Sequence, residues 1–370
     1  MRPPNGAPVL VAAGGTGGHL FPAEALAAAL TTRGIGDHLV TDHRAARFGG
    51  CFADDAVHVV FSATVRGRSP LALARTASAL GIGLAQSWAL LGRLKPAAVI
   101  GFGGYPTVPP VLAAGWWGLP TLIHDANAVL GRANRFLAPR VTAIATTFPD
   151  IFRDKPELGA KATLTGNPLR PSVVAAAAAP YPSLADPLRL LIFGGSQGAR
   201  VMADVVPAAI GLLAPALRAR LAIVQQARDE DLQRVRAAYA GFAVAAEVAP
   251  FFADLPARMA ATHLVIARSG AGTVAELSAI GRPAILVPLP HALDQDQFAN
   301  AGVLERSGGA IRLAQKDFTP RRLADEIAGL AAAPARLPAM AAAARSLGRP
   351  DAADRLVELV LRVAGINSKN

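Results

Sequence analysis

Twice in this chain a short apolar run rich in β-forming residues breaks into a glycine-rich turn that opens directly into a helical pattern. Near the start PVLVAA runs into GGTGGH and then FPAEALAAALTTRG, with Pro22 early and Gly34 as the stop. Past the middle LRLLIF runs into GGSQGAR and then VMADVVPAAIGLLAPAL. Strand, glycine turn, helix is the opening of a βαβ unit, whose turn N–H groups and helix N-terminus face whatever sits above the sheet. Further strand patterns alternate with helices in both halves: AAVIGFGG, PTLIHD, TAIATTF and KATLTGN, then RLAIVQQ, FAVAAEV, HLVIARSG and PAILVP. The expected fold class is therefore α/β, two Rossmann-like doubly wound domains facing across a cleft. A length of 370 residues suits two domains better than one. The Pro- and Ala-rich stretch places the boundaries at 1–171, a linker 172–187, a second domain 188–348 and a terminal segment 349–370. The last helix gathers Ala353, Leu356, Val357, Val360, Leu361 and Ala364 on one face and must dock, with the first domain as the expected partner.

Composition removes several classes. Apolar residues make up 52% and charged residues 17%, which is enough apolar surface to exclude disorder. Cys51 is the single cysteine, so neither a disulfide framework nor a cysteine zinc site is available within the chain, and a reducing compartment fits. The prolines at 3, 4 and 8 argue against a signal peptide. The uncharged run Thr76–Gly92, 17 residues long and interrupted by polar residues and glycines, reads poorly as a membrane span. The net charge is +11, and between Arg66 and Arg140 eight basic residues face Asp125 alone, with Trp88, Trp116 and Trp117 in the same stretch. Basic residues beside tryptophan suit an anionic membrane surface, with a merely arginine-rich composition as the equal alternative. No recognition motif accompanies the charge, so no nucleic-acid partner is expected.

The motifs narrow the chemistry further. GGTGGH lacks the dinucleotide spacing and GGSQGAR lacks the GK[ST] of a P-loop, yet both turns suit phosphate or diphosphate. His19 is a base or polar contact, or simply the side chain of a tight turn. Glu276, in RSGAGTVAE, is placed to accept ribose hydroxyls, or else closes a capping box with Thr273. The loop PLPHALDQDQF crowds polar side chains after a strand, suiting sugar hydroxyls; its Asp294-Gln295-Asp296 is only a weak match to a metal-binding DxD. HExxH, GxSxG, CxxC and the kinase motif set are missing. A nucleotide-sugar remains the best-suited ligand.

GGTGGH, GFGGYP, TGNPLR, GGSQGAR and RSGAGTVAE, in this order and at these intervals, closely resemble the MurG-type glycosyltransferases, over nearly the whole chain. These GT-B enzymes move N-acetylglucosamine from UDP-GlcNAc onto undecaprenyl-pyrophosphoryl-MurNAc-pentapeptide. The resemblance implies His19 as catalytic base. It implies donor contacts from Thr16, Gly17, Gly18, Asn127, Arg170, Ser196, Phe252, Arg268, Glu276, Asp296 and Gln297, with the Phe251-Phe252 segment at the uracil. Acceptor contacts are implied for Gly14, Gly15, Tyr105 and His124, with the acceptor pyrophosphate at the GGTGGH turn. It further implies inverting displacement without a tightly bound cofactor or obligatory divalent metal, and a peripheral place on the cytoplasmic face of the bacterial inner membrane. The membrane face would include Leu73, Ala77, Leu80, Leu84, Trp88 and Leu91 beside Arg75, Arg93 and Lys95, with core packing as the ordinary fate of such a stripe. Two departures stand out: His124-Asp125-Ala126-Asn127 replaces the family's HEQN, and the sugar loop is one residue longer. A UDP-GlcNAc 2-epimerase and a non-catalytic nucleotide-sugar-binding subunit are the competing readings.

Overall fold

The structure, a computed structural model, describes residues 6–14, 17–43, 52–62, 69–184, 187–195 and 197–366, with side chains of 70–77 and 293 excepted. Among the expected site residues, Gly15, Thr16 and Ser196 lie outside this set, as do Cys51, Arg66 and Arg68. The chain forms two compact units, residues 1–170 with 351–370, and residues 171–350.

The first unit is built on seven parallel strands: β1 (Val9–Ala12), β2 (Asp37–Thr41), β3 (Val57–Val59), β4 (Ala98–Gly101), β5 (Thr121–Asp125), β6 (Ala143–Thr146) and β7 (Ala162–Leu164). Their spatial order is β3-β2-β1-β4-β5-β6-β7. Along β1, Val9 and Val11 join one buried cluster while Leu10 and Ala12 join another. Both faces of the sheet are therefore covered, which is why its strands read as continuous apolar runs. The helix Ala352–Ala364 buries Leu356, Val357, Val360, Leu361 and Ala364, and packs on the helix Gly17–Thr32 and on β4 and β6. Of the expected face only Ala353 is displaced: it is part-exposed, and Ala352 is buried in its place.

The second unit holds six parallel strands: β8 (Leu188–Phe193), β9 (Leu221–Gln226), β10 (Ala245–Ala249), β11 (Leu264–Ala267), β12 (Ala284–Leu286) and β13 (Ala310–Arg312), in the order β10-β9-β8-β11-β12-β13. The stretch 172–187, read above as a linker, takes part in this unit. Its helix Pro171–Ala177 buries Val173 and Ala177. The fully buried Arg282 donates to the carbonyls of Pro180, Met259 and Ala260, and Arg345 donates to those of Ala177 and Ala179. Guanidinium groups satisfy here the backbone carbonyls that an irregular segment leaves without ladder partners.

In both sheets the chain starts in the middle, winds to one edge, then returns to the other side. The reversal lies between β1 and β4 in the first unit, where Ala12 pairs with Gly101, and between β8 and β11 in the second, where Phe193 pairs with Ala267. Ligands of open α/β sheets bind beyond the strand ends at such reversals.

Candidate active site

All four glycine-rich turns follow the strands that flank these two reversals. GGTGGH follows β1 and GFGGYP follows β4; GGSQGAR follows β8 and ARSGAG follows β11. Sequence spacing alone does not say that they pair in this way. The turns are tight enough to require glycine. A Cβ on Gly104, whose φ is +77°, would lie 2.8 Å from the Gly14 carbonyl oxygen, and one on Gly194 would lie 2.1 Å from the Ala199 nitrogen.

Three helices open at these turns: Gly17–Thr32, Arg200–Leu212 and Ala271–Ile280. None carries an acidic residue in its first turn. The helix Asp229–Gly241, by contrast, opens with Asp229, Glu230 and Asp231. A helix start without a carboxylate keeps its N–H groups and positive dipole end available to an anion. Gly17 and Gly18 are exposed at the first such start.

In the first unit His19 is the third residue of its helix, with its ring against Gly103; a Cβ there would lie 3.1 Å from the ring Cε1. Burial holds its pKa below the ordinary value, a contact with the Phe102 backbone opposing the shift. His124 is fully buried at the end of β5, and its Nε2 donates to the Gly166 carbonyl at 3.0 Å. A carbonyl only accepts, so the proton sits on Nε2. Burial pushes this imidazole down to about 4.

Asp125 answers the departure at HDAN. Its carboxylate accepts from the backbone N–H of Asn127 and of Gly131, both at 3.0 Å, and from Asn134 Nδ2 at 3.0 Å. Burial raises its pKa, against the pull of these bonds. The shorter acid shapes the loop that presents Asn127. Asn134, which donates to the His124 carbonyl as well, was not singled out by the sequence reading. An asparagine inside a short helix carries no periodic signal.

Of the seven buried side-chain polar atoms without a hydrogen-bond partner among the described residues, all but Asp231 Oδ2 belong to the first unit: Thr41 Oγ1, His124 Nδ1, Thr147 Oγ1 and Asn167 Oδ1 at the carboxyl edge of its sheet, with His19 Nδ1 and Asn134 Oδ1 beside them. Such atoms are rare in folded proteins and mark places where water or ligand completes the bonding. Tyr105 is part-exposed in the turn after β4. Arg170 closes the first unit, with its guanidinium carbon 4.8 Å from the Phe21 ring centroid.

In the second unit Gly194 N–H donates to Gln226 Oε1 at 3.0 Å, fixing the backbone just after β8. Glu276 is part-exposed in the helix whose cap is Gly270. The helix thus begins ahead of Thr273, which sits inside its first turn, and the capping-box alternative for Glu276 falls because a capping box needs Thr273 at the cap itself. Arg268 donates to the carbonyls of Val287 and Pro288 and to Gln315 Oε1, and burial lowers its pKa. Phe252 is buried beneath Arg258, 4.4 Å from its ring centroid, whereas Phe251 is 67% exposed. In the sugar loop, Asp294 and Gln295 take positive φ values. Asp296 Oδ1 accepts from the Gln297 N–H, and Gln297 Oε1 accepts from the Leu289 N–H at 3.0 Å. Among the described residues no group of three or more His, Cys, Asp or Glu is arranged to hold a metal ion.

The expected membrane stripe divides. In the helix Pro70–Leu94, Leu91 is core and Leu84 packs against it, while Trp88 is 44% exposed. Leu80 is part-exposed; the side chains of Leu73, Arg75 and Ala77 lie outside the described set. Trp88 meets Trp117 edge-on at 5.3 Å, Trp116 is 65% exposed, and Arg140 stacks on the exposed Phe136. Among the described residues no single helix is long and apolar enough to cross a membrane.

Two sequence profiles match: the glycosyltransferase family 28 N-terminal domain over residues 9–146 and the glycosyltransferase family 28 C-terminal domain over residues 189–356. A protein of Rhodopseudomonas palustris (strain BisB18) named UDP-N-acetylglucosamine--N-acetylmuramyl-(pentapeptide) pyrophosphoryl-undecaprenol N-acetylglucosamine transferase is 66% identical, covering 98% of this chain and 97% of its own. A protein of the same name from Nitrobacter winogradskyi is 63% identical, covering 96% of this chain and 97% of its own. The crystal structure of Acinetobacter baumannii MurG superposes with a TM-score of 0.80 at 28% identity, over 96% of this chain and 99% of that one. A putative UDP-N-acetylglucosamine 2-epimerase from Listeria monocytogenes, at 14% identity and a TM-score of 0.67 over 96% of each chain, shares the fold.

Proposed function

This chain belongs to glycosyltransferase family 28, and on that footing we propose that it transfers N-acetylglucosamine from UDP-GlcNAc to the 4-hydroxyl of MurNAc in undecaprenyl-pyrophosphoryl-MurNAc-pentapeptide. The observation that carries the reading is the placing of acid-free helix starts at the strand ends of both sheets, since donor and acceptor each bring a diphosphate. The acceptor oxygen attacks the anomeric carbon from the face opposite UDP, the bond to the diphosphate oxygen breaks, and the configuration inverts. The hydroxyl proton passes to His19. Burial favours that role by keeping the imidazole neutral. Helix N–H groups and arginine take up the charge on departing UDP, with no metal assigned to the step.

In the second unit the GGSQGAR turn with Ser196 would receive the diphosphate, the Phe251-Phe252 segment the uracil, and Asp296 and Gln297 the sugar. Arg268 would act mainly by holding the strand ends, because its guanidinium already serves three acceptors. In the first unit Gly14, Tyr105 and His124 would serve the acceptor and Gly17, Gly18, Asn127 and Arg170 the donor, a reading supported by the orphaned polar atoms at the strand ends of that sheet. Glu276 is assigned to the ribose. Glu276→Gln is expected to raise the UDP-GlcNAc KM about five- to tenfold, the loss on exchanging charged for neutral hydrogen bonds. An unchanged donor KM removes the ribose role.

The protein would work at the cytoplasmic face of the bacterial inner membrane through the surface bearing Trp88, Trp116 and Arg140. Serine at both tryptophans is expected to weaken binding to vesicles containing phosphatidylglycerol by about tenfold or more, given the apolar area each ring withdraws from water. Added salt should weaken the wild type as well. Equal binding by the variant sinks this assignment.

The deciding experiment measures UDP release and disaccharide formation from UDP-GlcNAc with and without a short-chain lipid-linked MurNAc-pentapeptide. Acceptor-dependent release with disaccharide is the expected result. Consumption of UDP-GlcNAc without acceptor indicates an epimerase, and binding without turnover a non-catalytic subunit.

A further inference from the structure

Phe21 is an unusual residue to find on a helix surface. It is 41% exposed, and its ring lies on Gly17, the first residue of the same helix, where a Cβ would stand 3.2 Å from Cε2 and 3.3 Å from Cζ. The glycine lets the aromatic ring reach back over the helix start. On that ring stands Arg170, at 4.8 Å from the centroid, brought there by the TGNPLR segment that ends the first unit. Glu24, three residues further along the helix, feels the same guanidinium, which pulls its pKa down against the larger rise caused by burial.

We propose that Phe21 is a positioning residue, an aromatic platform that holds the Arg170 guanidinium beside the Gly17-Gly18 helix start for a substrate diphosphate. The physical reason lies in how the ring attracts the cation. A π face draws a guanidinium through its quadrupole and supplies no acceptor atom to compete with phosphate oxygens. It orients the side chain and reduces the rotamer freedom lost when a ligand arrives. A leucine of similar bulk covers Gly17 as well but lacks the quadrupole. The inference rests on the transferase reading, in which both substrates carry a diphosphate; the experiment identifies which of them Arg170 meets.

Steady-state kinetics with each substrate varied in turn, for Phe21→Leu, Phe21→Tyr, Arg170→Ala and the Phe21→Leu/Arg170→Ala double variant, tests this. Phe21→Leu is expected to raise KM for one diphosphate substrate by about three- to tenfold, with kcat nearly unchanged. Phe21→Tyr, which keeps the ring face, should behave as wild type. In the Arg170→Ala background the Phe21→Leu change should have no further effect, because the platform then has nothing to hold. A rise confined to UDP-GlcNAc assigns Arg170 to the sugar nucleotide, and a rise confined to the lipid-linked acceptor assigns it to that diphosphate. Unchanged KM values in Phe21→Leu overturn the inference, as does a KM rise that persists in full without Arg170. If Arg170→Ala leaves both KM values unchanged while turnover remains acceptor-dependent, the platform fails and the transferase reading stands. If no variant, nor the wild type, shows acceptor-dependent turnover, the transferase reading fails first.

Discussion

Replacing His19 by alanine is expected to lower kcat by about 10²- to 10⁴-fold, the range that a positioned general base contributes, while leaving the first unit folded. The imidazole sits at the strand-end reversal of its sheet, against Gly103, and burial keeps its pKa below 6.5. Only the neutral form accepts the acceptor's proton. Activity should therefore be lost as pH falls through that lowered value, and the acid limb of kcat/KM should lie below 6.5. The same limb should vanish from the residual activity of the alanine variant. An acid limb unaltered in that variant assigns proton transfer to another group.

The second large effect concerns stability in acid. His124 titrates at about 4 in the folded chain against an ordinary 6.5, because burial penalises its charged form. Between those values the unfolded chain binds a proton that the folded chain excludes. The contribution is therefore whole above the unfolded value and is lost as pH falls toward about 4, amounting to about 3 kcal/mol at one pKa unit per 1.36 kcal/mol. All three tryptophans belong to the first unit, so their fluorescence during urea unfolding reports on that unit by itself. Between neutral pH and about 4.5 wild type should lose about 2.5 kcal/mol more unfolding free energy than His124→Gln does. Equal losses in the two proteins rule out His124 as the source.

Much of the fold is legible in the sequence, for identifiable reasons. In a parallel sheet covered on both faces the central strands are continuous apolar runs, so β1, β4, β5, β6, β8, β11 and β12 stand out. The three-residue strands β3 (Val57–Val59) and β13 (Ala310–Arg312) do not. Each lies at a sheet edge and is specified by its neighbour's open hydrogen-bonding groups more than by its own side chains. The helix Pro171–Ala177 was likewise hidden in a stretch that reads as linker, since what holds the segment following it is Arg282, some hundred residues away.

The site divides along the same line. The glycine turns, His19 and Glu276 announce themselves locally, because a tight turn demands glycine and a helix start demands a recognisable neighbourhood. The pairing of those turns at the two reversals is a matter of strand order, which no local pattern encodes. The same holds for Asp125 and Asn134, whose value lies in whose N–H or carbonyl they meet, and for the apolar stripe of residues 73–91. Its period is the same for core and surface. Only packing against the helix Val108–Trp116 and the first sheet decides that Leu91 is buried while Trp88 is left at the surface. The sequence by itself determined the α/β alternation, the two-unit organisation and the phosphate-friendly turns, all of which follow from short-range sterics and periodicity. Tertiary structure alone decided which strand ends lie side by side and which polar atoms are left without partners, because both depend on contacts between residues far apart in the chain.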